Sequence, residues 1–282
     1  MMIPTRLIAT IAGVLATVLM PATHADPGSQ PDSKRTHIEL GFGIAGAHFA
    51  DYPGSSRYWN VLLPIPYFTL RSPRIDASRD GVHGKLWRGD RWKINLDFSG
   101  SVPVSSSRDP ERQGMPGLGW IGETGPIYHY RLWRDDATGL RLDFGFPIRA
   151  AVSTNGWMIH HRGWVAQPEF ELERHWGVAG TRYHADLGVS WLYATDSYFN
   201  YLYGVAPEYV TATRPAYQAG SGYGGYRISL GFGMRRGDMV FGVFYRYINL
   251  AGASFNTSPL VSQQHQSAYG FAIAWVLRKF DR

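Results

Sequence analysis

The chain has 282 residues, with 28 Lys and Arg against 22 Asp and Glu for a net charge of +6, and no cysteine. The missing thiols exclude disulfides, thiol catalysis, Cys-based metal sites and lipid attachment at an N-terminal Cys. The charges are scattered without a basic run, which excludes a nucleic-acid tract and leaves solvated or internal faces.

Aromatics make up 15% of the chain and glycines number 33, yet the mean hydropathy is only −0.22. Strands that alternate apolar and polar residues average to such a value, and aromatic girdles raise the Trp, Tyr and Phe content. Beyond the N-terminus no charge-free apolar run reaches the roughly 18–20 residues of a membrane helix.

Residues 1–25 have the form of a secretory signal. Arg6 is a minimal basic region, residues 7–20 are apolar, and residues 21–25 end in small side chains. Cleavage after Ala25 is expected. Residues 26–35, polar with Pro27 and Pro31, are expected to form a periplasmic lead-in, and residues 36–282 the folded domain.

Alternation begins at residues 36–47, with Ile38, Leu40, Phe42 and Ile44 on one face. The GxGxxG string Gly41 to Gly46 lies inside this alternating segment and no helical period follows it. It therefore lacks the strand-turn-helix setting of a dinucleotide site and reads as small residues on a strand. Residues 58–71 form a run with Pro64 and Pro66, which fit an edge, a bulge or a kink. Residues 74–87 alternate most weakly. The clearest strand is residues 91–104, where Trp92, Ile94, Leu96, Phe98, Gly100 and Val102 oppose Lys93, Asn95, Asp97, Ser99 and Ser101. A strand tilted across a bilayer needs about 9–11 residues, so this stretch has membrane length. Residues 127–133, 140–152, 164–173, 183–193, 226–235, 239–249 and 269–277 repeat the pattern.

Short, turn-rich links at residues 88–91, 134–139, 174–180 and 235–238 alternate with longer ones at 105–117, 153–162, 194–225 and 251–266. Outer-membrane barrels join strands by short periplasmic turns and longer outer loops. The fold class expected is all-β, a transmembrane antiparallel β-barrel of about 10 strands, within a range of 10–12. Residues 58–71 have no place in the parity of ten. They are either a non-spanning arm or one of twelve strands, residues 203–212 then supplying the other addition. Aromatics next to turns, among them Trp87, Trp92, Trp133, Trp164, Tyr193, Tyr226 and Tyr269, suit the membrane interface better than the aliphatic core of a sandwich.

The charged positions on the polar faces are Lys93, Asp97, Arg131, Arg141, Asp143, Arg149, Glu169, Glu171, Asp186, Arg227 and Arg246. A narrow barrel is filled by side chains, and mixed signs are expected to pair there into a lumen charge network that plugs it. A small polar pore is the other reading. His160 and His161 are adjacent, so on an extended chain they point apart and do not suggest a metal site. Ser105–Ser107, His129 and His184 supply hydrolase residue types at no recognisable spacing. No catalytic residue, metal or cofactor is expected. The loop at residues 194–225 carries Tyr198, Tyr201, Tyr203, Tyr209, Tyr217, Tyr223 and Phe199. Rigid aromatic area of this kind makes either a contact surface or a cap over the barrel.

In residues 51–55 (Tyr52, Pro53, Gly54, Ser55), 61–68 (Pro64, Pro66, Tyr67), 203–205 (Gly204), 214–217, 220–223 and 258–261 (Ser258, Pro259, Leu260), the chain resembles the MipA/OmpV family of outer-membrane proteins. The resemblance implies a non-enzymatic, porin-like barrel in the outer membrane of a Gram-negative bacterium. It would act as a scaffold for a lytic transglycosylase and a murein synthase that remodel peptidoglycan. The alternatives it implies are a small-solute channel affecting permeability, or a surface adhesin. The C-terminal aromatic that often marks barrel strands would be Phe280, which falls off the parity of Phe271, Ile273, Trp275 and Leu277.

Overall fold

A computed structural model of the chain describes residues 36–71, 75–78, 81–101, 103–155 and 158–281. The signal sequence and lead-in expected for residues 1–35 lie outside them. The described chain forms thirteen strands in one sheet: β1 (His37–Ala50), β2 (Tyr58–Arg71), β3 (Ile75–Ser78), β4 (Gly81–Arg88), β5 (Trp92–Ser101), β6 (Trp120–Asp135), β7 (Leu140–Asn155), β8 (Met158–Ala166), β9 (Glu169–Val178), β10 (Thr181–Ala194), β11 (Gly222–Arg236), β12 (Met239–Asn249) and β13 (His265–Asp281). One helix, α1 (Asp196–Tyr203), and a 3-10 turn at Pro207–Tyr209 lie between β10 and β11. All pairings are antiparallel. The last strand pairs with the first, His37 opposite Asp281 through His48 opposite Tyr269, so the order of partners returns to its start. No helix among the described residues is long and apolar enough to cross a membrane.

β8 and β9 are one strand interrupted at Gln167 and Pro168. Both pair with β7, and both with β10. The interruption is bridged, because Gln167 N donates to Pro147 O and Trp191 N donates to Pro168 O. Counted as one, they leave twelve strands, the upper end of the expected range. The two beyond ten do not include residues 203–212, which are the end of α1 and the 3-10 turn. They are β2, and a second strand gained because residues 74–87 hold two short strands, β3 and β4, paired as a hairpin. Residues 153–155 and 158–162 of the expected long link instead continue β7 and β8.

Among the described residues, β2 pairs with β1 along its full length but with β3 only at Leu70 and Arg71. Proline cannot donate to a ladder, so Pro64 and Pro66 sit in the strand that has the least partnered edge.

One side of each strand meets lipid. Leu40, Phe42 and Ile44 on β1, Leu62 and Phe68 on β2, Leu187 on β10, and Phe271 and Trp275 on β13 are all exposed. Trp87, Trp92 and Trp133 mark one rim, and Trp164, Tyr193 and Tyr269 the other. Phe280 rejoins this outer face through a bulge: Leu40 faces Arg278 while Gly41 faces Val276, so Leu277 is the extra residue. One added residue reverses the alternation. Phe280 therefore lies opposite Ile38 and is 44% exposed.

The glycines of the GxGxxG string are packing devices. A Cβ on Gly41 would stand 2.0 Å from the carbonyl oxygen of Trp275 on β13. G41A is expected to destabilise the barrel by about 1–3 kcal/mol, the cost of overpacking, measured by urea unfolding of the refolded protein. G122A, whose nearest neighbour would be 3.7 Å away, is expected to leave it unchanged.

Candidate functional site: a capped, two-sided lumen

Four outer links, residues 51–57, 103–119, 195–221 and 250–264, fold together over one mouth of the barrel. α1 is their centre. Its apolar positions Tyr198, Phe199, Leu202 and Tyr203 recur at helical spacing and are buried. Gly163 on β8 lets the helix start come close. With φ +97° it takes a conformation other residues avoid, and a Cβ there would overlap Thr195 Oγ1 at 2.0 Å. Thr195 Oγ1 accepts from Trp164 N at 3.1 Å. Phe199 and Phe255 are fully buried, and Tyr203 stacks on Phe255 with ring centres 3.8 Å apart.

The polar edges of these links are satisfied by one another. Tyr52 OH donates to Leu260 O at 2.9 Å, Tyr203 OH to Pro53 O at 2.8 Å, and Ser258 Oγ to Tyr203 O at 2.7 Å. Gly54 N donates to Gln266 Oε1, whose Nε2 in turn donates to Ser55 O. Arg112 Nη1 donates to Leu202 O, and Arg214 Nη1 to the carbonyls of Glu111 and Gln113. The motif residues Tyr52, Pro53, Gly54, Ser55, Gly204, Ser258, Pro259 and Leu260 thus lie on the links of this one cap. Pro64, Pro66 and Tyr67 do not belong to a loop. They lie within β2, where Tyr67 OH donates to Glu39 at 3.2 Å.

The tyrosine-rich link turns its aromatic face inward. Tyr201 OH accepts from Gly119 N at 2.7 Å and lies under the Arg162 guanidinium at 4.1 Å. Tyr217 OH donates to Ser254 O. Of the two readings of residues 194–225, a contact surface or a cap, the structure has the cap. The signal available was the two buried-type positions, Phe199 and Leu202, at helical separation.

Beneath the cap the lumen has two unlike walls. From β5 to β11 it carries charge. Arg149 pairs with Asp97 at 2.5 Å and Glu123 at 3.4 Å, while Arg141 pairs with Asp143 and Glu173. Lys93 stands among Arg141, Asp143, Glu171 and Glu173. Arg131 Nη1 donates to Asp90 O in the turn below, and Glu169 lies across the ladder from Gly145 and Ser190. Asp186 and His184 point in where Gly231 and Gly233 of β11 leave room, since a Cβ on either would overlap them. Sequence reasoning missed Glu123 and the pair of Arg235 with Glu39 at 2.6 Å, and it placed Glu173 on the polar face of its strand without counting it in the charge network. Glu39 and Glu173 were legible from strand parity, and Glu123 was hidden because β6 begins earlier than its clearest alternation.

From β12 through β13 and β1 to β2 the lumen face is mainly apolar, interrupted by Glu39 of β1, which pairs with Arg235, and by Gln266 of β13. Phe244 and Ala47 pack with Phe49, Val61, Leu63 and Ala268, and Val240, Ala274, Val276 and Tyr67 form a second cluster nearer the other mouth. Arg227 and Arg246 stand where the two walls meet under the cap. The Nε atoms of both are buried without a hydrogen-bond partner.

Of the residue types that could carry hydrolysis, Ser105 and Ser107 bond each other at 2.9 Å on an outer link, while His129 is buried in the lumen wall opposite Lys93 and Gly145. His160 and His161 are successive residues of β8. Among the described residues no group of three or more His, Cys, Asp or Glu could hold a metal.

The family model described as MltA-interacting protein MipA matches residues 42–277. The chain belongs to the MipA family. No curated protein sequence matches it. Among solved structures it is similar to a bacterial polysaccharide outer membrane secretin, with 11% identity and TM-score 0.42 over 88% of this chain and all of the other. It is also similar to outer membrane protein OprG from Pseudomonas aeruginosa, with 10% identity and TM-score 0.24 over 89% of this chain and 97% of the other. A third is outer membrane protease OmpT from Escherichia coli, with 9% identity and TM-score 0.32 over 93% and 100%. This MipA-family chain is an outer-membrane β-barrel protein.

Two outcomes follow for the site. Arg141 is only 13% exposed and holds two carboxylates. Arg141→Leu would strand both, so it is expected to cost about 3–5 kcal/mol in urea unfolding. In the cap, burial pushes Asp109 up to about 6, with Glu111 and Asp51 adding to the rise and the Ser55 hydrogen bond opposing it. Burial also raises Asp51, against Trp59 and Arg57, whereas Glu111 stays below its usual range because hydrogen bonds from Ser262 and Ser56 outweigh its burial. A carboxyl in the open chain titrates near 4, so between about pH 4 and 6 the closed cap binds a proton that the open one lacks. Cap stability therefore rises as pH falls from 7 to 5. Hydrogen exchange of residues 105–116, corrected for intrinsic rate, is expected to slow over that range, and less so in D109N.

Proposed function

We propose that this protein is a non-enzymatic outer-membrane scaffold whose periplasmic rim binds cell-wall-remodelling enzymes, a lytic transglycosylase and a murein synthase. Membership of a family described by its interaction with MltA is the observation that carries this reading. Two features of the barrel support it. The outer links are committed to the cap, and the paired charges of the lumen act as a plug. The rim at the other end is open to a partner. It is made of tight turns at residues 89–91, 136–139, 179–180 and 237–238. It presents exposed charge, with Lys279 on Asp238 at 2.6 Å and Arg134 on Asp136. Exposed ion pairs contribute little to stability, so exchanging them for partner contacts costs little. The assignment of this rim to the periplasm follows the rule that periplasmic turns are the short ones. Export through a cleaved signal at residues 1–25, a lead-in at 26–35 and a barrel from residue 36 belong to the same proposal.

A small-solute channel is the second reading, favoured by Arg227 and Arg246 lining the lumen with their Nε atoms unbonded.

The test uses residues 26–282 refolded into lipid. Purified MltA-type lytic transglycosylase is expected to bind, charge reversal at Arg134 and Lys279 to weaken binding, and planar bilayers to stay silent. Absence of binding together with discrete conductance steps would replace the scaffold with the channel.

A further inference from the structure

Most lumenal charges of this barrel have an opposite charge at hand. Arg246 does not: among the described residues it makes no hydrogen bond or ion pair, and the neighbouring charge it meets is another arginine, Arg227. Register explains their meeting. Arg246 on β12 lies opposite Ser229, two residues along β11 from Arg227, so the two guanidinium groups project from the same face of adjacent strands. Arg227 feels Glu123 and Glu169, but its Nε is likewise unbonded. An enclosed guanidinium beside a like charge is costly to keep unless something of opposite sign comes to it.

The ground beside Arg246 is apolar. Two residues down the same face is Phe244, level with Gly270 of β13, Ala47 of β1 and Val61 of β2. Phe244 and Ala47 form one cluster with Val61, Leu63 and Ala268. Val61 and Leu63 are only partly buried although they point inward. A polar solute has no use for that wall, and an apolar one has no use for the arginines. Above them, Gln266, opposite Ile248, is tied to Gly54 and Ser55 of the cap, which closes that end.

We propose that the lumen binds an amphiphilic organic anion, its carboxylate held by Arg246 and Arg227 beneath the cap and its hydrocarbon part laid along the Phe244–Ala47–Val61 wall. The site is independent of any docking at the rim. It uses a planar, bidentate donor where a carboxylate needs one, and burial of methylenes where the tail runs.

The probe is octanoate, titrated calorimetrically into the barrel in nanodiscs with empty nanodiscs as the blank. Octanoate is expected to bind saturably, and acetate and octanol far more weakly. R246Q is expected to weaken octanoate by about tenfold or more, the worth of a charge-assisted hydrogen bond, with R246K retaining part of the affinity. F244A is expected to weaken octanoate while leaving acetate as it was, which separates the tail site from the head site. Heat-modifiable migration on gels checks that each variant is folded. No saturable octanoate binding, equal binding of octanol, or unchanged affinity in folded R246Q would each overturn the proposal. Rim binding of a transglycosylase is measured separately and can fail or succeed without affecting this result.

Discussion

A bilayer supplies no water to an unpaired peptide group, and this constraint governs the chain from β1 onward. It requires every strand to find a partner and the last to find the first. The β13–β1 ladder meets it, and the close approach of Gly41 to the Trp275 carbonyl shows how tightly the seam is drawn. Once the ladder is fixed, the pleat sends alternate side chains to lipid and to the interior. The two-residue period of residues 91–104 is the imprint of that requirement on the sequence.

The interior then faces its own problem. A ring of this size leaves more inward positions than a simple hydrocarbon core can occupy, and this chain divides them. One arc carries charges in pairs, where each arginine answers two carboxylates: Arg149 with Asp97 and Glu123, Arg141 with Asp143 and Glu173. The other arc carries alanine, valine and phenylalanine. Glycines are placed where bulk from across the strand needs space, as Gly231 does for Asp186. Charges are paired along the first arc, and Arg246 stands at the boundary without an opposite charge among the described residues.

Much of the barrel was legible from residue order alone. The alternation fixed which face of β1, β5, β7, β10 and β13 meets lipid, and the aromatic punctuation located both rims. What escaped notice was whatever depends on partners distant in the chain. In the hairpin of β3 and β4, β3 has only four residues, too few for a period to register, and residues 74–87 as a whole alternate weakly. The bulge at Leu277 that returns Phe280 to the lipid face exists only in relation to Leu40 and Gly41 of the opposite strand. The cap was open from sequence only as one of two readings of residues 194–225, and its ties to the other loops were hidden for the same reason. Tyr52, Tyr203 and Ser258 are widely separated in sequence, and most of the bonds that join them end on backbone carbonyls, which leave no trace in residue type.

That last feature has a bearing on how such a surface changes over generations. Outer loops of a barrel ordinarily drift one at a time, because each is a private excursion between two strands. Here the residues that meet the outside are mutual supports, and several carbonyls in one loop are spoken for by side chains of another. An insertion in residues 250–264 would loosen α1 and the 51–57 link together. Variation on this face is expected to arrive as coordinated replacements across loops, which makes the exterior of the molecule one inherited unit and a steadier target for recognition than barrel loops usually are.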